Sequence, residues 1–224
     1  MRKPSLRYEK NLWRKGCRFV AGIDEAGRGP LAGPVVAAAV VIKVPSPFCK
    51  RGRARVGDID DCLAVRDSKL LSPRQREILY QKIIIHPQID WGIGIVSEKV
   101  IDEINILEAT KLAMIKAVAN LSRKPDWLLI DGNNSMLLVM TNKTTRQRTI
   151  IAGDKKVFSI ACASIVAKVT RDKIMTDLHK IYPQYGFSQH KGYGTKLHFA
   201  KLAQCGVSPV HRRSFHPVSE FVFP

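Results

Sequence analysis

The sequence predicts an α/β fold with a central mixed β-sheet flanked by helices and a small helical appendage at the C-terminal end. Short runs of β-branched apolar residues, which favour buried strands, alternate with longer stretches whose apolar residues recur every three or four positions, as in amphipathic helices. A Gly- and Pro-rich tract alone separates the first two strand-like runs, which favours an antiparallel hairpin. A hairpin within an otherwise alternating pattern is typical of a mixed sheet.

In the first half of the chain, three apolar runs predict strands over residues 18–23, 35–44 and 89–97. A Pro-, Gly- and Arg-rich loop at 45–61 follows the second strand. A helix begins next, because Ser72 suits the N-cap and Pro73 the first helical position. A second helix begins near Asn105, where apolar residues take up a 3.6-residue period.

In the second half, residues 127–130 predict a short strand, residues 136–151 a hairpin, residues 157–182 a long helix and residues 195–204 a short helix. We expect three regions along the chain. They are a basic N-terminal lead-in (1–17), a catalytic domain (18–182) and a C-terminal loop and helical appendage (183–224).

The chain carries a large excess of positive charge, with 37 Lys and Arg residues against 19 Asp and Glu and a formal net charge of +18. The excess lies at both ends: residues 1–57 and 143–224 each carry +10, whereas residues 58–142 carry −2. A generally solvated surface is one explanation. Phosphate binding is a better one, because neutralising phosphates with Lys and Arg releases condensed counterions. We therefore expect a nucleic-acid partner.

The cysteines and the N-terminus bear on the compartment. The five cysteines are widely spaced and include no C-x-x-C pair, which argues against a disulfide framework and a zinc site. No apolar signal segment follows the basic N-terminus, and the longest apolar run, residues 31–42, is interrupted by Gly33 and Pro34. We expect a cytoplasmic protein, outside the membrane, that acts as a monomer without an obligate protein partner.

Two consecutive carboxylates, Asp24 and Glu25, stand at the end of the first predicted strand in the tract IDEAGRGP. Charge in a buried position is costly unless it is paired or metal-bound. Salt bridges to Arg18 or Arg28 are one explanation, and a shared metal ion is the other. Because successive strand residues face opposite sides, a shared metal ion requires the strand to end or bulge there, or Glu25 to contribute its carbonyl oxygen.

The long predicted helix presents a polar face. Ser164, Lys168 and Asp172 recur at every fourth position, with Arg171 beside them. A solvated face of an amphipathic helix produces the same pattern. The pattern alone leaves both explanations open.

Asp131 closes the strand at 127–130, where α/β sheets usually place functional side chains, although an Asp that only starts a turn would look the same. Asp24, Glu25, Asp131 and Asp172 together offer four carboxylates in a strongly basic chain. Hard divalent cations such as Mg²⁺ prefer oxygen ligands. Two such ions, about 4 Å apart, can activate water and stabilise the leaving oxygen of a phosphodiester. The set predicts metal-assisted phosphodiester hydrolysis.

Five tracts form an ordered set of motifs across residues 18–204. They are DEAGRGPLAGPVVAAAV at 24–40, DSKLLS at 67–72, LLIDG at 128–132, ASIVAKVTRD at 163–172 and YGFSQHKGYGT at 185–195. In this order they resemble the motifs of bacterial ribonuclease HII, the type 2 ribonuclease H. The resemblance implies a ribonuclease H-like fold. It also implies endonucleolytic cleavage of RNA in RNA–DNA hybrids and 5′ to ribonucleotides embedded in duplex DNA, leaving 3′-hydroxyl and 5′-phosphate ends.

Taken position by position, the resemblance assigns roles to individual residues. It makes Asp24, Glu25, Asp131 and Asp172 the catalytic carboxylates and the ligands of Mg²⁺ or Mn²⁺, with two ions during catalysis. The backbone of the turn at residues 27–29 would contact the ribonucleotide 2′-hydroxyl. The substrate-binding residues implied are Gly27, Arg28, Gly29 and, against the sugar at the RNA–DNA junction, Tyr193, with phosphate contacts from Lys69, Ser164 and Lys168.

Some segments have no counterpart in that resemblance. They are residues 1–17, the tail after Gly206 and the basic stretch at 141–149, to which only a general electrostatic role is assigned. His190 is expected to be structural or to contact phosphate, because in a two-metal site the metal generates the nucleophile. The other histidines show no ligand spacing.

Two alternatives accompany this hypothesis. A non-catalytic RNA- or ribosome-binding protein would need only the +18 charge, but such a protein gains nothing from concentrating carboxylates. A type 3 ribonuclease H is expected to carry an extra N-terminal DNA-binding domain, and only 17 residues precede the first predicted strand.

Overall fold

A mixed β-sheet forms the centre of the computed structural model, which describes residues 3–43, 71–133, 136, 138 and 145–222. Within these residues the sheet has five strands in the order β3-β2-β1-β4-β5. The strands are β1 (Val20–Ala26), β2 (Val35–Ile42), β3 (Ile89–Val96), β4 (Trp127–Asp131) and β5 (Arg146–Ile150).

The sheet combines antiparallel and parallel pairing, as the sequence predicts. β1 and β2 form the expected hairpin, and β3 adds antiparallel to β2. On the other side of β1, β4 pairs in parallel and β5 continues in parallel beside it. The structure describes only part of the hairpin predicted at 136–151. Its second strand is β5, which pairs with β4, while most of its first strand lies outside the described residues.

Helices flank the sheet, and their ends follow local sequence signals. They are α1 (Arg7–Arg14), α2 (Pro73–Ile85), α3 (Glu98–Ala119), α4 (Phe158–Ile181), α5 (Phe187–His190), α6 (Lys196–Cys205) and α7 (Val218–Val222). The predicted start of α2 is confirmed: Ser72 Oγ accepts a hydrogen bond from Gln75 N at 3.3 Å. The predicted helices at 157–182 and 195–204 correspond to α4 and α6.

Asn105 divides α3 into two parts. Its φ of 66° and ψ of 165° are not helical, and its Oδ1 accepts hydrogen bonds from Leu107 N at 2.9 Å and Glu108 N at 3.2 Å. The predicted helix start near Asn105 is therefore right for the second part. The sequence analysis missed the helical segment that precedes it from Glu98.

Both faces of β2 are buried, which explains its uninterrupted apolar sequence. Alternate residues from Ala38 to Ile42 pack in one core with the apolar side of α4. The intervening residues, from Val35 to Val41, pack in a second core with α3. The sheet is thus the middle layer between α3 and α4, and its ends remain free to form a site.

The basic lead-in contains α1, which the sequence analysis did not predict. Its Glu9 is fully buried and its Oε1 accepts hydrogen bonds from Ser159 N at 2.9 Å and Ser159 Oγ at 2.7 Å. Ser159 lies in the first turn of α4, whose N-cap residue Val157 makes no side-chain capping bond. A carboxylate from α1 therefore satisfies the start of α4, where the helix dipole also favours negative charge.

The C-terminal segment returns to the loop that joins β1 and β2. Leu31 N donates to Gly192 O, Gly33 N to Val210 O and Arg212 N to Leu31 O, each at 2.8 Å. The residues after 182 thus lie against the loop that follows β1. The division of the chain at residue 182 remains a prediction.

None of the described helices combines the length and the apolar character that crossing a bilayer requires. Among the described residues, Cys17, Cys162 and Cys205 are free thiols, while Cys49 and Cys62 lie outside them.

Replacing Glu9 with Ala removes the carboxylate at the start of α4. We expect the free energy of unfolding to fall by about 2 kcal/mol, because a buried amide and hydroxyl lose a charged acceptor. Urea denaturation measures the change. Glu103→Ala, at an exposed position on α3, is the matched control, and equal losses in both variants would contradict the capping role.

Candidate active site

The acidic residues meet where β1 and β4 end. The last paired residues of these parallel strands are Ile23 and Ile130. The next residues, Asp24 and Asp131, therefore leave adjacent strands side by side. Asp24 is only 6% exposed and Asp131 is half-buried, so the two carboxylates lie largely out of water.

Hydrogen bonds from the protein hold these carboxylates. Glu25 N donates to Asp24 Oδ1 at 2.8 Å, and the Ser164 hydroxyl donates to the Asp24 carboxylate. Gly153 N donates to Asp131 Oδ1 at 2.6 Å. Sequence reasoning missed Gly153, because nothing in its local pattern indicates that its amide faces a carboxylate 22 residues earlier.

The surroundings of the cluster disfavour the ionised forms of Asp24 and Glu25. Burial raises the pKa of Asp24 well above its ordinary value, the charges of Glu25 and Asp131 raise it further, and the Ser164 hydrogen bond opposes them. Burial also raises the pKa of Glu25, as does Asp131, against the opposing effect of Arg28. Glu25 Oε2 is buried and has no hydrogen-bond partner among the described residues. A cation at this position would relieve both the repulsion and the unpartnered oxygen.

The strand geometry bears on both explanations offered for Asp24 and Glu25, the salt bridge and the shared metal ion. The pairing of β1 with β2 continues in regular register through Glu25, opposite Ala37, so the strand does not bulge there. The parallel pairing with β4 does end before Asp24. Glu25 Oε1 lies 3.3 Å from Arg28 Nη1, which is the salt bridge considered for that residue. Asp24 forms no ion pair with any described residue.

The polar face of α4 adjoins the cluster through Ser164. Further along, Lys168 Nζ forms an ion pair with Asp172 Oδ1 at 2.7 Å. The ring of Tyr193 lies against this face, with its centroid 5.7 Å from Lys168 Nζ and 5.9 Å from Arg171 Cζ. Tyr193 is 43% exposed, so one side of its ring is open to a ligand.

One predicted member of the acidic cluster, Asp172, is engaged by another residue. Asp172 is bound to Lys168, and its charge is not among the causes of the raised pKa of Asp24. Lys69 lies outside the described residues. Within the described ranges, no three or more His, Cys, Asp or Glu side chains are arranged so that they could hold a metal ion.

Arg212 supports the turn at residues 27–29 from beneath. Its side chain is fully buried and donates to Gly33 O and Arg28 O at 2.9 Å and to Gly27 O at 2.6 Å. Burial lowers the pKa of Arg212 to about 9, so it remains charged at neutral pH. Sequence reasoning left Arg212 unassigned, because its partners lie up to 185 residues away.

Arg171, which is also fully buried, supports the same loop from α4. It donates to Pro34 O at 2.9 Å, to Ala32 O at 3.0 Å and to Lys191 O at 2.9 Å. Gly27, with φ of 97°, has no room for a side chain, because a Cβ atom would overlap the Arg171 side chain. The two arginines fix the backbone that follows the acidic residues of β1.

Buried histidines support Tyr193 from the other side. His190 Nε2 lies 2.8 Å from Tyr185 O, and its Nδ1 accepts a backbone N–H at 3.2 Å, so its role in the described structure is structural. His198 Nδ1 lies 3.0 Å from Tyr193 O, and its Nε2 lies 3.0 Å from His211 Nε2. Burial lowers the pKa of His198 to about 4 and of His211 to about 3, so both are neutral at neutral pH.

Buried carboxylates at the adjacent ends of two parallel strands, next to a rigid glycine-containing turn in a strongly basic chain, are the arrangement of a nucleic-acid phosphodiester hydrolase. The mixed sheet between two helical layers matches the ribonuclease H-like fold that the motifs imply.

Comparisons with known proteins identify the family. The family model for ribonuclease HII matches residues 21–218. Ribonuclease HII of Chlamydia trachomatis serovar A is 46% identical over 215 residues, which are 96% of this chain and 90% of the relative. The crystal structure of ribonuclease H2 from Pyrococcus horikoshii OT3 is similar with a TM-score of 0.71 and 27% identity, over 91% of this chain and 96% of that one.

A second solved structure, the PCNA:RNase HII complex from Archaeoglobus fulgidus, is similar with a TM-score of 0.67 and 25% identity, over 88% of this chain and 95% of that one. The chain belongs to the ribonuclease HII family. It is therefore an enzyme, a type 2 ribonuclease H that cleaves RNA paired with DNA. The predicted fold and activity are confirmed, and the hypothesis of a non-catalytic binding protein is wrong.

Arg212→Ala leaves three backbone carbonyl oxygens under the turn without their donor. We expect the free energy of unfolding to fall by about 3 kcal/mol or more, because a buried charged hydrogen-bond network is broken. The control is Arg213→Ala, since the adjacent side chain is exposed, and its expected change is within about 0.5 kcal/mol. Urea denaturation of both variants gives the comparison. Similar values would show that Arg212 does not support the turn.

Proposed function

We propose that this ribonuclease H cuts the RNA strand of hybrids and the bond 5′ to single ribonucleotides in duplex DNA, with two divalent ions at the acidic cluster. The products are 3′-hydroxyl and 5′-phosphate ends. The observation that carries the proposal is the meeting of Asp24 and Asp131 at the adjacent ends of β1 and β4, where burial and then the charges of Glu25 and Asp131 raise the pKa of Asp24. A site that disfavours the ionised forms of its carboxylates favours a bound cation, because the cation stabilises those ionised forms.

Asp24, Glu25 and Asp131 would hold Mg²⁺ or Mn²⁺, and the unpartnered Glu25 Oε2 is an available oxygen ligand. Asp172 joins them as the fourth carboxylate once its ion pair with Lys168 opens. When bound, the ions supply an activated water and stabilise the leaving oxygen. The protein's own contribution is to fix the carboxylates. Gly153 holds that of Asp131, and Ser164 holds that of Asp24.

The turn at residues 27–29 brings backbone groups to the ribose. Gly29 supports this assignment, because a Cβ atom built there meets no other atom within 4 Å, so the space beside it is open to a ligand. The buried arginines beneath the turn keep its backbone fixed, which favours close contact with a 2′-hydroxyl. That hydroxyl is the group that distinguishes RNA from DNA. The half-exposed Arg28 side chain can also reach the substrate from this turn.

Tyr193 packs against the sugar at the RNA–DNA junction, since its exposed ring lies beside the polar face of α4. Lys168 and Ser164, together with Lys69, contact phosphates and position the strand rather than read its sequence. Ser164 has a second role here, because its hydroxyl already donates to Asp24.

The enzyme acts in the cytoplasm as a monomer with no obligate protein partner. The free thiols among the described cysteines agree with a reducing compartment. Light scattering of the purified chain during turnover tests the monomer. A stable dimer, or turnover only after a partner protein is added, would refute this part of the proposal.

Asp24→Asn and Asp131→Asn test the metal assignment with two opposite readouts. We expect cleavage at a single embedded ribonucleotide to fall at least about 100-fold, since a group that organises transition-state charge is lost. Because burial raises the pKa of Asp24, its ionised form costs folding free energy at neutral pH, and the neutral Asn should raise the thermal midpoint.

Added Mg²⁺ or Mn²⁺ should raise the thermal midpoint of the wild-type chain and leave those of both variants unchanged. Asp177→Asn, at an exposed carboxylate of α4, is the control and should behave as the wild type. Wild-type cleavage by both cluster variants would end the metal assignment.

Gly29→Ala tests the contact between the turn and the ribose. The added methyl group meets no protein atom, so we expect the free energy of unfolding to stay within about 0.5 kcal/mol of wild type. Cleavage at a single ribonucleotide should fall, because the methyl group occupies the space that the sugar needs. Gly27→Ala should instead destabilise the fold, given its φ of 97°. Normal cleavage by Gly29→Ala would place the ribose elsewhere.

A further inference from the structure

A second basic site lies at the opposite end of the sheet from the carboxylates. A cleft of about 730 Å³ is formed where β1 and β4 begin. Five cationic side chains line it: Lys15, Arg18, Arg123, Lys124 and Arg146. All five are exposed, and none of them forms an ion pair with another described residue.

One acidic residue, Asp126, lines the cleft against the five cationic side chains, so positive charge remains in excess. Asp126 Oδ2 accepts hydrogen bonds from Arg18 N at 2.8 Å and Phe19 N at 2.9 Å, so the backbone already engages its carboxylate. Asp90, nearby, accepts hydrogen bonds from Ser122 N at 3.1 Å and Ser122 Oγ at 2.7 Å. The cationic side chains are left free to meet an anion from outside.

Two of the arginines are held in place by aromatic rings. Arg123 Cζ lies 5.5 Å from the centroid of Phe19, and Arg146 Cζ lies 5.7 Å from that of Trp127. Such contacts restrict a guanidinium group without using its N–H donors. A guanidinium fixed in this way can donate two parallel hydrogen bonds to one phosphate.

The cleft is separate from the active site. Trp127 lines it, whereas Asp131 belongs to the acidic cluster at the other end of the same strand. Four residues of extended chain span about 13 Å. The two sites face opposite ends of the sheet, so a straight duplex lying over the carboxylates does not also fill the cleft.

We propose that this cleft binds the phosphate backbone of a second nucleic-acid segment, without sequence preference, while the active site holds the segment to be cut. Fixed guanidinium groups and unpaired lysines suit a row of phosphates, whose binding is driven by counterion release. An acidic protein segment is the competing occupant. Apart from Phe19 and Trp127, which lie under arginines, the described residues that line the cleft include no large apolar side chain to hold a peptide.

The test uses the full chain with Lys15, Arg18 and Lys124 changed together to Glu, because no described residue hydrogen-bonds to these three side chains. A control variant changes Lys82, Lys99 and Lys180 to Glu, an equal change of charge at exposed positions outside both sites. Two duplexes of about one helical turn, one carrying a fluorescence donor and the other an acceptor, report whether one protein holds both.

We expect energy transfer between the duplexes with the wild type and the control, and its loss in the cleft variant. For binding to ribonucleotide-free DNA, the slope of log K against log salt concentration should be smaller in magnitude by about three in the cleft variant, because three phosphate contacts are lost. Cleavage of one short duplex with a single ribonucleotide should stay within about twofold of wild type, which also shows that the variant folds. If it misfolds, the corresponding Gln variant replaces it.

Retained energy transfer in the cleft variant would overturn the proposal, as would equal losses in the cleft and control variants, which would mean that total charge alone acts. Loss of poly-glutamate binding with unchanged transfer between duplexes would also overturn it, in favour of an acidic protein partner.

Discussion

The parallel pairing of β1 with β4 is the constraint on which the rest of the molecule depends. It brings Asp24 and Asp131 out of neighbouring strands into one largely buried place, where their charges oppose each other. The surrounding residues hold the two carboxylates together against this charge repulsion. Hydrogen bonds from Gly153 and Ser164 hold the carboxylates, and the helix that supplies Ser164 is itself capped by a buried Glu9.

The turn beside the carboxylates shows a complementary solution. Its carbonyl oxygens point inward, where water cannot reach them, and two buried guanidinium groups satisfy them. Among the described residues, each arginine donates its hydrogen bonds to backbone carbonyl oxygens, an arrangement that fixes main-chain atoms rather than side chains. The backbone of the turn is therefore held from inside the protein, and Gly29 leaves open space beside it.

Much of the fold could be predicted because its signals are local. The Ser72 cap, the apolar run of β2 and the period of α4 each depend on residues within one or two turns of the chain. The acidic residues of the site were visible for the same reason, as charges at the ends of apolar strands.

What the sequence could not reveal depends on distant contacts. Gly153 and Arg212 have ordinary neighbours, and only the folded chain brings their donors to the carboxylate and the turn. The parallel partner of β5 likewise follows from the sheet order and not from its own residues. The composition of α1 indicates only a basic lead-in. Its structural role depends on one buried carboxylate, Glu9, which contacts a residue 150 positions later.

The sequence distance between Gly27 and Arg212 has a consequence for biosynthesis. The ribosome produces Asp24 and Glu25 early, but Arg212 follows Gly27 by 185 residues. A nascent or prematurely terminated polypeptide therefore carries the acidic residues of β1 while the adjacent turn still lacks the guanidinium that fixes it. Completion of the chain and fixing of this turn by Arg212 are thus coupled in time.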